Sequence, residues 1–290
     1  MSLDLSTSAP AVGADGPHAD GPHRDGAAVL VRGIRKTFRG RRRQAPRTAL
    51  DGVDLAVAPG EFACLLGPSG CGKSTLLNIL AGFETVDGGE ATVDGETVRG
   101  PGAERGVLFQ TPNLFPWLST WDNVLYGPRA RHRGRVPDEV RAEAVDLLET
   151  VGLADARDAY PHELSGGMRH RAAFARVLIN KPRLLLMDEP FGALDALTRG
   201  SMQAFLLQLW QAHPTTIVFV THDVEEAVLL GDRIHVMSGS PGRIRASIDV
   251  DLERPRSIDT TETLEFVTLK RRVRGELESV VHAAAAEATA

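Results

Sequence analysis

Short apolar segments alternate along the chain with stretches of helical periodicity. Five apolar segments are predicted as strands: 29–31, 48–57, 62–66, 183–187 and 216–220. The last two are nearly continuous apolar runs, which is typical of central strands that helices cover on both faces. A further small strand pair is predicted around 243–250. This alternation of strands and helices predicts an α/β layer structure.

Helical periodicity falls into two groups. The first group accompanies the strands and comprises 73–81, 196–212 and about 262–284. The second fills residues 111–180, where helical patterns at 138–151 and 168–179 dominate. Because helical patterns dominate this second group, residues 111–180 are predicted to form a helical insertion.

Composition divides the chain into three parts. Residues 1–27 are rich in Gly, Ala, Pro, Asp and Ser and nearly free of large apolar residues, so a disordered tail is predicted. Residues 28–256 carry the alternating pattern and are predicted to form one domain that includes the insertion. Residues 257–290 are too short for a separate folded domain, so their helix is expected to pack on the preceding one.

Charge and hydropathy exclude several classes of protein. The chain has 290 residues, of which 42% are hydrophobic and 24% charged, and its net charge is −5 at pH 7. This acidic balance argues against a general nucleic-acid-binding role. Residues 32–47 are locally rich in Arg and Lys, which fits a solvated loop or a surface that meets phosphates or lipid head groups. With neither an apolar run of about 18 residues nor a signal-peptide pattern, the chain is expected neither to span a membrane nor to be exported.

Two cysteines, Cys64 and Cys71, are too few for a disulfide framework and favour a reducing compartment. Cys71 lies at the start of a predicted helix beside a lysine, a position that lowers a thiol pKa. The alternative is that Cys71 is a small buried filler of its loop.

The strongest local motif follows the predicted strand 62–66. Residues 67–74 read Gly-Pro-Ser-Gly-Cys-Gly-Lys-Ser, which fits the phosphate-loop pattern between a strand and a helix. Lys73 is predicted to reach the β and γ phosphates of a nucleotide, and Ser74 to bind Mg²⁺. The predicted nucleotide contacts are Gly67, Pro68, Ser69, Gly70, Cys71, Gly72, Lys73, Ser74 and Thr75. The motif alone is compatible with a kinase, a GTPase, a helicase or a transport ATPase.

A pair of acids, Asp188 and Glu189, follows the predicted strand 183–187. Neighbouring strand residues point to opposite faces, so the two carboxylates can serve different purposes. Asp188 is predicted to contact Mg²⁺, and Glu189 to act as general base for an attacking water. An acidic strand end without a catalytic role is the alternative, and the nearby phosphate loop argues against it.

A third motif, Leu-Ser-Gly-Gly-Met at 164–168, opens a predicted helix before the acidic pair. In the order and spacing of these three motifs the chain resembles the ATP-binding-cassette ATPases. The resemblance implies an α/β fold: a P-loop NTPase core of RecA type with an antiparallel β subdomain and a helical insertion subdomain. It also implies a head-to-tail homodimer in which each ATP lies between the phosphate loop of one subunit and the signature residues of the other. Those residues are Ser165, Gly166, Gly167 and Met168.

Four further positions match this family one by one. Phe38 resembles the aromatic residue that stacks on adenine, and Gln110 the glutamine that contacts Mg²⁺ and links the core to the insertion. His222 resembles the switch histidine that contacts the γ phosphate and the attacking water, and Asp195 the aspartate that crosses the dimer interface. By residue type alone, Phe38 and His222 also fit purely structural roles. One position departs from the family: His170 stands where many members have glutamine.

Segments at 100–106, 114–117, 188–196 and 240–243 resemble importer ATPases of the nitrate, sulfonate and taurine group, most closely taurine-import ATPases. The resemblance implies a peripheral location on the cytoplasmic face of the cell membrane, with separate permease subunits, an extracytoplasmic substrate-binding protein and no nucleic acid. The aromatic-rich loop 111–126 suits a permease docking site, and insertion core is the alternative. The alternative function is a soluble cassette ATPase unattached to a transporter, which is expected to carry a second cassette or a long coiled coil.

Overall fold

A computed structural model describes residues 26–40, 45–212 and 215–289 of the chain, with side chains described as far as residue 282. The strands are β1 Val29–Phe38, β2 Arg47–Val57, β3 Phe62–Leu66, β4 Gly88–Val93, β5 Glu96–Thr97, β6 Arg105–Leu108, β7 Leu184–Asp188, β8 Thr216–Thr221, β9 Arg233–Met237 and β10 Ile244–Asp249. The helices are α1 Lys73–Ala81, α2 Thr120–Val124, α3 Tyr126–Arg131, α4 Asp138–Thr150, α5 Gly166–Leu178, α6 Ala196–Ala212, α7 Val224–Leu230 and α8 Leu264–Thr289.

Parallel strands form the larger sheet, whose order is β10-β9-β3-β8-β7-β6. Strands β6, β7, β8, β3 and β9 run parallel, and β10 is antiparallel to β9. Side chains of β3 alternate between two hydrophobic cores: Phe62, Cys64 and Leu66 enter one, and Ala63 and Leu65 enter the other. Strands β7 and β8 alternate between the same two cores, so the prediction that they are covered central strands is confirmed.

A second, antiparallel sheet has the order β2-β1-β4-β5, and its strands form a ladder separate from that of the larger sheet. Strand β1 extends well past the predicted segment 29–31. Its later residues alternate between buried and exposed positions and include charged side chains, so the prediction from apolar runs stopped too early. Ala27 is buried and donates its N–H to the carbonyl oxygen of Arg183, so ordered structure includes residues that composition assigned to the tail. Residues 1–25 of that tail and 41–44 of the basic stretch lie outside the described residues.

The strand pair predicted around 243–250 is wrong. One strand, β10, occupies this segment and pairs with β9. A turn at 238–243 joins them and is closed by a 2.8 Å bond from the N–H of Ser238 to the carbonyl oxygen of Arg243. The partner strand was missed because 233–237 mixes charged and apolar residues and lacks a continuous apolar run.

Helices α2 to α5 form the predicted insertion, with a hydrophobic core of their own around Trp121, Leu125, Leu148 and Ala172. At the other end of the chain, Phe266, Val273 and Val280 of α8 pack into the hydrophobic core on one face of the larger sheet. Within the described residues, no helix has both the length and the apolar character needed to cross a membrane. The carboxyl ends of β3, β7 and β8 lie side by side, and the predicted catalytic residues follow these three ends.

Candidate functional site

The phosphate loop connects the end of β3 to the start of α1. Gly70 and Gly72 have φ of 79° and 95°, the left-handed region that favours glycine. A Cβ on Gly72 would lie 2.6 Å from Leu50 Cδ2, so this position also has no room for a side chain. Gly72 is the N-cap of α1 and supplies no capping side chain, which leaves the first N–H groups of the helix available for phosphate oxygens.

Lys73 is buried, and its Nζ lies against the loop itself, donating to the carbonyl oxygens of Gly67 at 2.7 Å and Pro68 at 3.0 Å. The next residue, Ser74, is exposed, and its hydroxyl donates to Oδ1 of Asp188 at 3.0 Å. Burial raises the pKa of Asp188, the hydrogen bond from Ser74 opposes this, and the neighbouring charge of Glu189 adds to the rise.

Oxygen atoms of Ser74 and Asp188 form the kind of donor pair that Mg²⁺ prefers. Among the described residues, no group of three or more His, Cys, Asp or Glu is placed to hold a metal ion. A divalent ion at Ser74 would therefore depend on phosphate oxygens of a nucleotide to complete its ligands, and the residues present fit that chemistry.

Glu189 and His222 follow the neighbouring strands β7 and β8. The Nδ1 atom of His222 lies 3.1 Å from Oε2 of Glu189, and the His222 side chain is exposed on its outer side. Glu189 has a φ of 45°, an uncommon conformation for a residue other than glycine, and its N–H donates to the carbonyl oxygen of Val220. This turn directs a carboxylate and an imidazole to one exposed position beside the phosphate loop.

Gln110 lies beyond the end of β6, next to the loop that follows Glu189. A Cβ on Gly192 would lie 3.1 Å from Nε2 of Gln110 and 3.7 Å from Oε2 of Glu189, so all three residues adjoin one small space. Gln110 lies where β6 leads into the helical insertion, and its role remains a prediction.

The signature segment starts α5. Ser165 is the N-cap, and its hydroxyl accepts a hydrogen bond from the N–H of Met168 at 3.2 Å. Ser165 and Gly166 are exposed, and a Cβ on Gly167 would lie 2.8 Å from Cγ2 of Thr198 in α6. Within residues 26–40, 45–212 and 215–282, no hydrogen bond or ion pair joins residues 165–168 to the phosphate loop of the same chain.

Asp195 and Phe38 lie on the rim of the site. Asp195 is exposed and caps α6 by accepting from the N–H and the hydroxyl of Thr198, the latter bond chiefly lowering its pKa. Phe38 ends β1 with 40% of its surface exposed, and the Nζ of Lys36 lies 5.4 Å from the ring centroid. These two residues do not touch the Glu189–His222 pair in the described structure.

Two contacts at the site were not anticipated. Arg47, from the basic stretch, donates to the carbonyl oxygen of Gly70 at 3.1 Å and thus supports the phosphate loop. The buried ring of His170 lies between the signature helix and Gln110. The local basic charge was the sequence signal for Arg47, and the departure from glutamine was the signal for His170. Neither signal indicates which residue is contacted.

Both cysteines are buried and free. Burial raises the pKa of Cys71, against the opposing effect of Lys73, so the filler interpretation is favoured over a reactive thiol. Cys64 lies on β3 in the hydrophobic core, and burial raises its pKa strongly.

Known proteins share this sequence and fold. Residues 50–192 match the family described as ABC transporter. A taurine import ATP-binding protein of Rhizobium johnstonii is 45% identical over 238 residues, which cover 80% of this chain and 89% of that protein. An aliphatic sulfonates import ATP-binding protein of Bacillus subtilis is 42% identical over 231 residues, 80% of this chain and 88% of that protein.

A solved structure agrees with these relatives. It is a dimeric ATP-binding cassette in a post-hydrolysis state bound to ADP and Pi, with 30% identity and a TM-score of 0.67, and it covers 78% of this chain and 100% of that chain. The fold and the site therefore define a P-loop ATPase. The chain belongs to the ABC transporter family, as an ATP-binding cassette. The predicted fold class and the resemblance to the nitrate, sulfonate and taurine group are confirmed.

Proposed function

We propose that this chain is the ATP-hydrolysing subunit of an importer for a small anion or sulfonate, of the taurine, alkanesulfonate or nitrate kind. It works at the cytoplasmic face of the membrane as a head-to-tail homodimer with separate permease subunits, and a substrate-binding protein acts from outside. The names of the similar proteins support the import role. The observation that carries the catalytic part is the 3.1 Å contact between Glu189 and His222 beside the phosphate loop.

Hydrolysis needs a water aligned with the γ phosphate and a group that accepts its proton. Glu189 is the proposed proton acceptor, and His222 orients the water and contacts the phosphate. Lys73 and the N–H groups at the start of α1 neutralise charge on the β and γ phosphates. Bound Mg²⁺, held by Ser74, Asp188 and Gln110, would supply further charge neutralisation on those phosphates.

Dimerisation is supported by the exposure of three of the groups that the mechanism assigns to the dimer interface. Ser165 and Gly166 are exposed at the start of α5, and Asp195 is exposed before α6. Leu197, two residues after Asp195, is also exposed over 88% of its surface. In the proposed dimer the phosphate loop of one subunit faces the signature segment of the other.

Attachment to a permease is supported by a groove next to Gln110, between β6 and the helical insertion. The groove has a volume of about 690 Å³ and is lined by Phe109, Asn113, Phe115, Tyr126, Arg131 and Arg176, among others. Aromatic rings and two arginines suit a short helix with an apolar face and acidic or carbonyl groups at its end. Trp117, 70% exposed, packs against Phe115 outside the groove.

The loop 111–126 therefore divides its residues between the two predicted roles. Trp121, Val124 and Leu125 are buried in the insertion core, while Trp117 and Tyr126 are exposed. An exposed aromatic patch at this position favours a transporter subunit over a free-standing ATPase.

The test is co-purification and transport. The chain is expressed with the permease and binding protein encoded beside it, and uptake of labelled taurine, an alkanesulfonate and nitrate is measured. Uptake of one of these that requires both ATP and an intact Glu189 is the expected result. ATPase activity with no association with any permease would instead favour the soluble alternative.

A further inference from the structure

A buried carboxylate lies behind the strand end that carries His222. Glu226 is on the first turn of α7, and only 6% of its surface is exposed. A carboxylate at this depth needs polar partners, because an unpaired buried charge is costly. Its partners connect it to one strand and one helix that lead to predicted site residues.

The first partner is Thr221, the last residue of β8 and the neighbour of His222. Its hydroxyl donates to Oε2 of Glu226 at 2.7 Å, and both residues are buried. The same hydroxyl accepts the N–H of Asp223 at 3.0 Å, so Glu226 orients an oxygen that holds the backbone beyond His222. The residues on both sides of His222 are thus fixed from within the protein, while the imidazole itself is exposed and contacts Glu189.

The second partner lies on α6. The Nε2 atom of Gln203 donates to Oε1 of Glu226 at 3.3 Å. Burial raises the pKa of Glu226, and the positive charge of Arg199, one turn before Gln203, opposes that rise. Two residues of α6 that share a helix face therefore act on the same carboxylate.

The start of α6 is joined to the loop of Asp195. Arg199 donates from Nη2 to the carbonyl oxygen of Leu194 at 3.1 Å. Asp195 in turn accepts the N–H of Thr198 at 3.0 Å. The first turn of α6 and the loop before it are thus one attached unit, and Glu226 holds that unit through α6.

We propose that Glu226 is a positioning residue for ATP hydrolysis, which sets His222 for the ATP of its own subunit and Asp195 for the dimer interface. The inference rests on the proposed roles of His222 and Asp195, and it adds a residue that lies behind the site. Each carboxylate oxygen serves one side: Oε2 bonds to the residue before His222, and Oε1 bonds to the helix that Asp195 caps. A displacement of either segment therefore changes the other through one buried side chain.

Two substitutions of Glu226 in the full chain test the importance of its contacts. Glu226→Leu has no acceptor, and kcat for ATP hydrolysis is expected to fall about 10-fold with KM for ATP within about 2-fold of wild type. Glu226→Gln keeps an oxygen for Thr221 and can pair with a turned amide of Gln203, so it is expected to restore most of kcat. The control is Glu225→Gln, which changes an exposed acid on the same turn that pairs with Lys270 and is expected to match wild type. Full kcat in Glu226→Leu overturns the inference.

A double-variant cycle tests whether Glu226 acts through His222. If it does, Glu226→Leu costs nothing further once His222→Ala has removed the imidazole, so the double variant is expected to have the kcat of His222→Ala. Losses that multiply contradict the inference alone, because they show two independent effects. Wild-type kcat in His222→Ala would refute the proposed role of His222 itself, and the inference with it.

Single contacts can be removed instead, should Glu226→Leu fail to fold. Gln203→Leu and Thr221→Val each remove one donor to Glu226, and each is expected to lower kcat at least about 3-fold with KM for ATP unchanged. Amide hydrogen exchange in the peptide that contains Thr198 is expected to be faster in Gln203→Leu than in wild type, and unchanged in Glu225→Gln. Wild-type kcat in either single-contact variant, or unchanged exchange in Gln203→Leu, refutes the positioning role.

Discussion

The Nδ1 atom of His222 lies 3.1 Å from Oε2 of Glu189, although the two residues are far apart in the chain. They meet because β7 and β8 are parallel neighbours whose carboxyl ends coincide. Both side chains reach solvent at this end of the sheet, where 58% of the His222 side chain and 24% of the Glu189 side chain are exposed. A carboxylate and an imidazole in contact at such an exposed position suit the activation of a water.

Glu189→Gln keeps the size of the side chain and removes the proton acceptor. We expect Mg²⁺-dependent ATP hydrolysis to fall by about 10²- to 10⁴-fold while ATP binding persists and an ATP-bound dimer accumulates. Phosphate release and size-exclusion chromatography with ATP measure the two effects. The control is Glu143→Gln, which changes a half-buried acid on α4 that pairs with Lys181, and full turnover of Glu189→Gln would falsify the assignment of the base.

Lys73→Ala addresses nucleotide binding itself. The Nζ atom of Lys73 donates to two carbonyl oxygens of the loop, and a bound phosphate would interact with the same positive charge. ATP affinity is therefore expected to fall by at least about 10-fold in the variant. Fluorescent ATP binding measures the change. Lys181→Ala removes an exposed lysine and should bind normally. Unchanged affinity in Lys73→Ala contradicts the phosphate-loop role.

Substitutions of Trp117 and Trp121 distinguish the two predicted roles of the loop 111–126, permease docking and core packing. Trp117→Ser is expected to reduce transport and permease binding while leaving Tm and isolated ATPase activity intact, because the side chain is exposed. Trp121→Ala removes a buried ring that lies 3.7 Å from the guanidinium of Arg157 and is expected to cost about 3–5 kcal/mol of stability. A large loss of stability in Trp117→Ser would instead favour the core interpretation.

Asp188→Asn is expected to stabilise the nucleotide-free protein and to abolish Mg²⁺-dependent hydrolysis. Burial raises the pKa of Asp188, so the folded state binds this proton more tightly than the unfolded state, and the stability it confers falls as pH rises through the folded pKa. Thermal unfolding at pH 7 should therefore show a higher Tm for Asp188→Asn than for wild type. The gain should shrink toward pH 4, and a gain that is the same at both pH values argues against this explanation.

Cys71 is expected to resist alkylation. Because burial raises its pKa, little thiolate is present at pH 8, and modification by iodoacetamide should be at least about 10-fold slower than in the unfolded chain. Mass spectrometry of the peptide containing Cys71 measures the rate. Rapid modification of the folded protein would restore the interpretation of Cys71 as a reactive thiol.

Much of the site could be predicted because each part is local in sequence. A glycine-rich loop after an apolar strand, and two acids at the end of another, reveal their chemistry without knowledge of the fold. The contact of Arg47 with Gly70 and the contact of His170 with the carbonyl oxygen of Gln110 join segments that are distant in the sequence. Such contacts depend on the packing of the whole domain, so residue patterns did not indicate them.

Arg169, Arg171 and Arg176 of α5 donate to backbone oxygen atoms of the loops around it, and every amino acid carries such an oxygen. Substitutions in those loops therefore leave the attachment in place as long as the backbone path is kept. A cassette organised in this way can vary the residues of these loops during evolution and still keep the loops attached to α5. Related transporters can therefore differ in the solute that they carry while their ATPases keep the same internal connections.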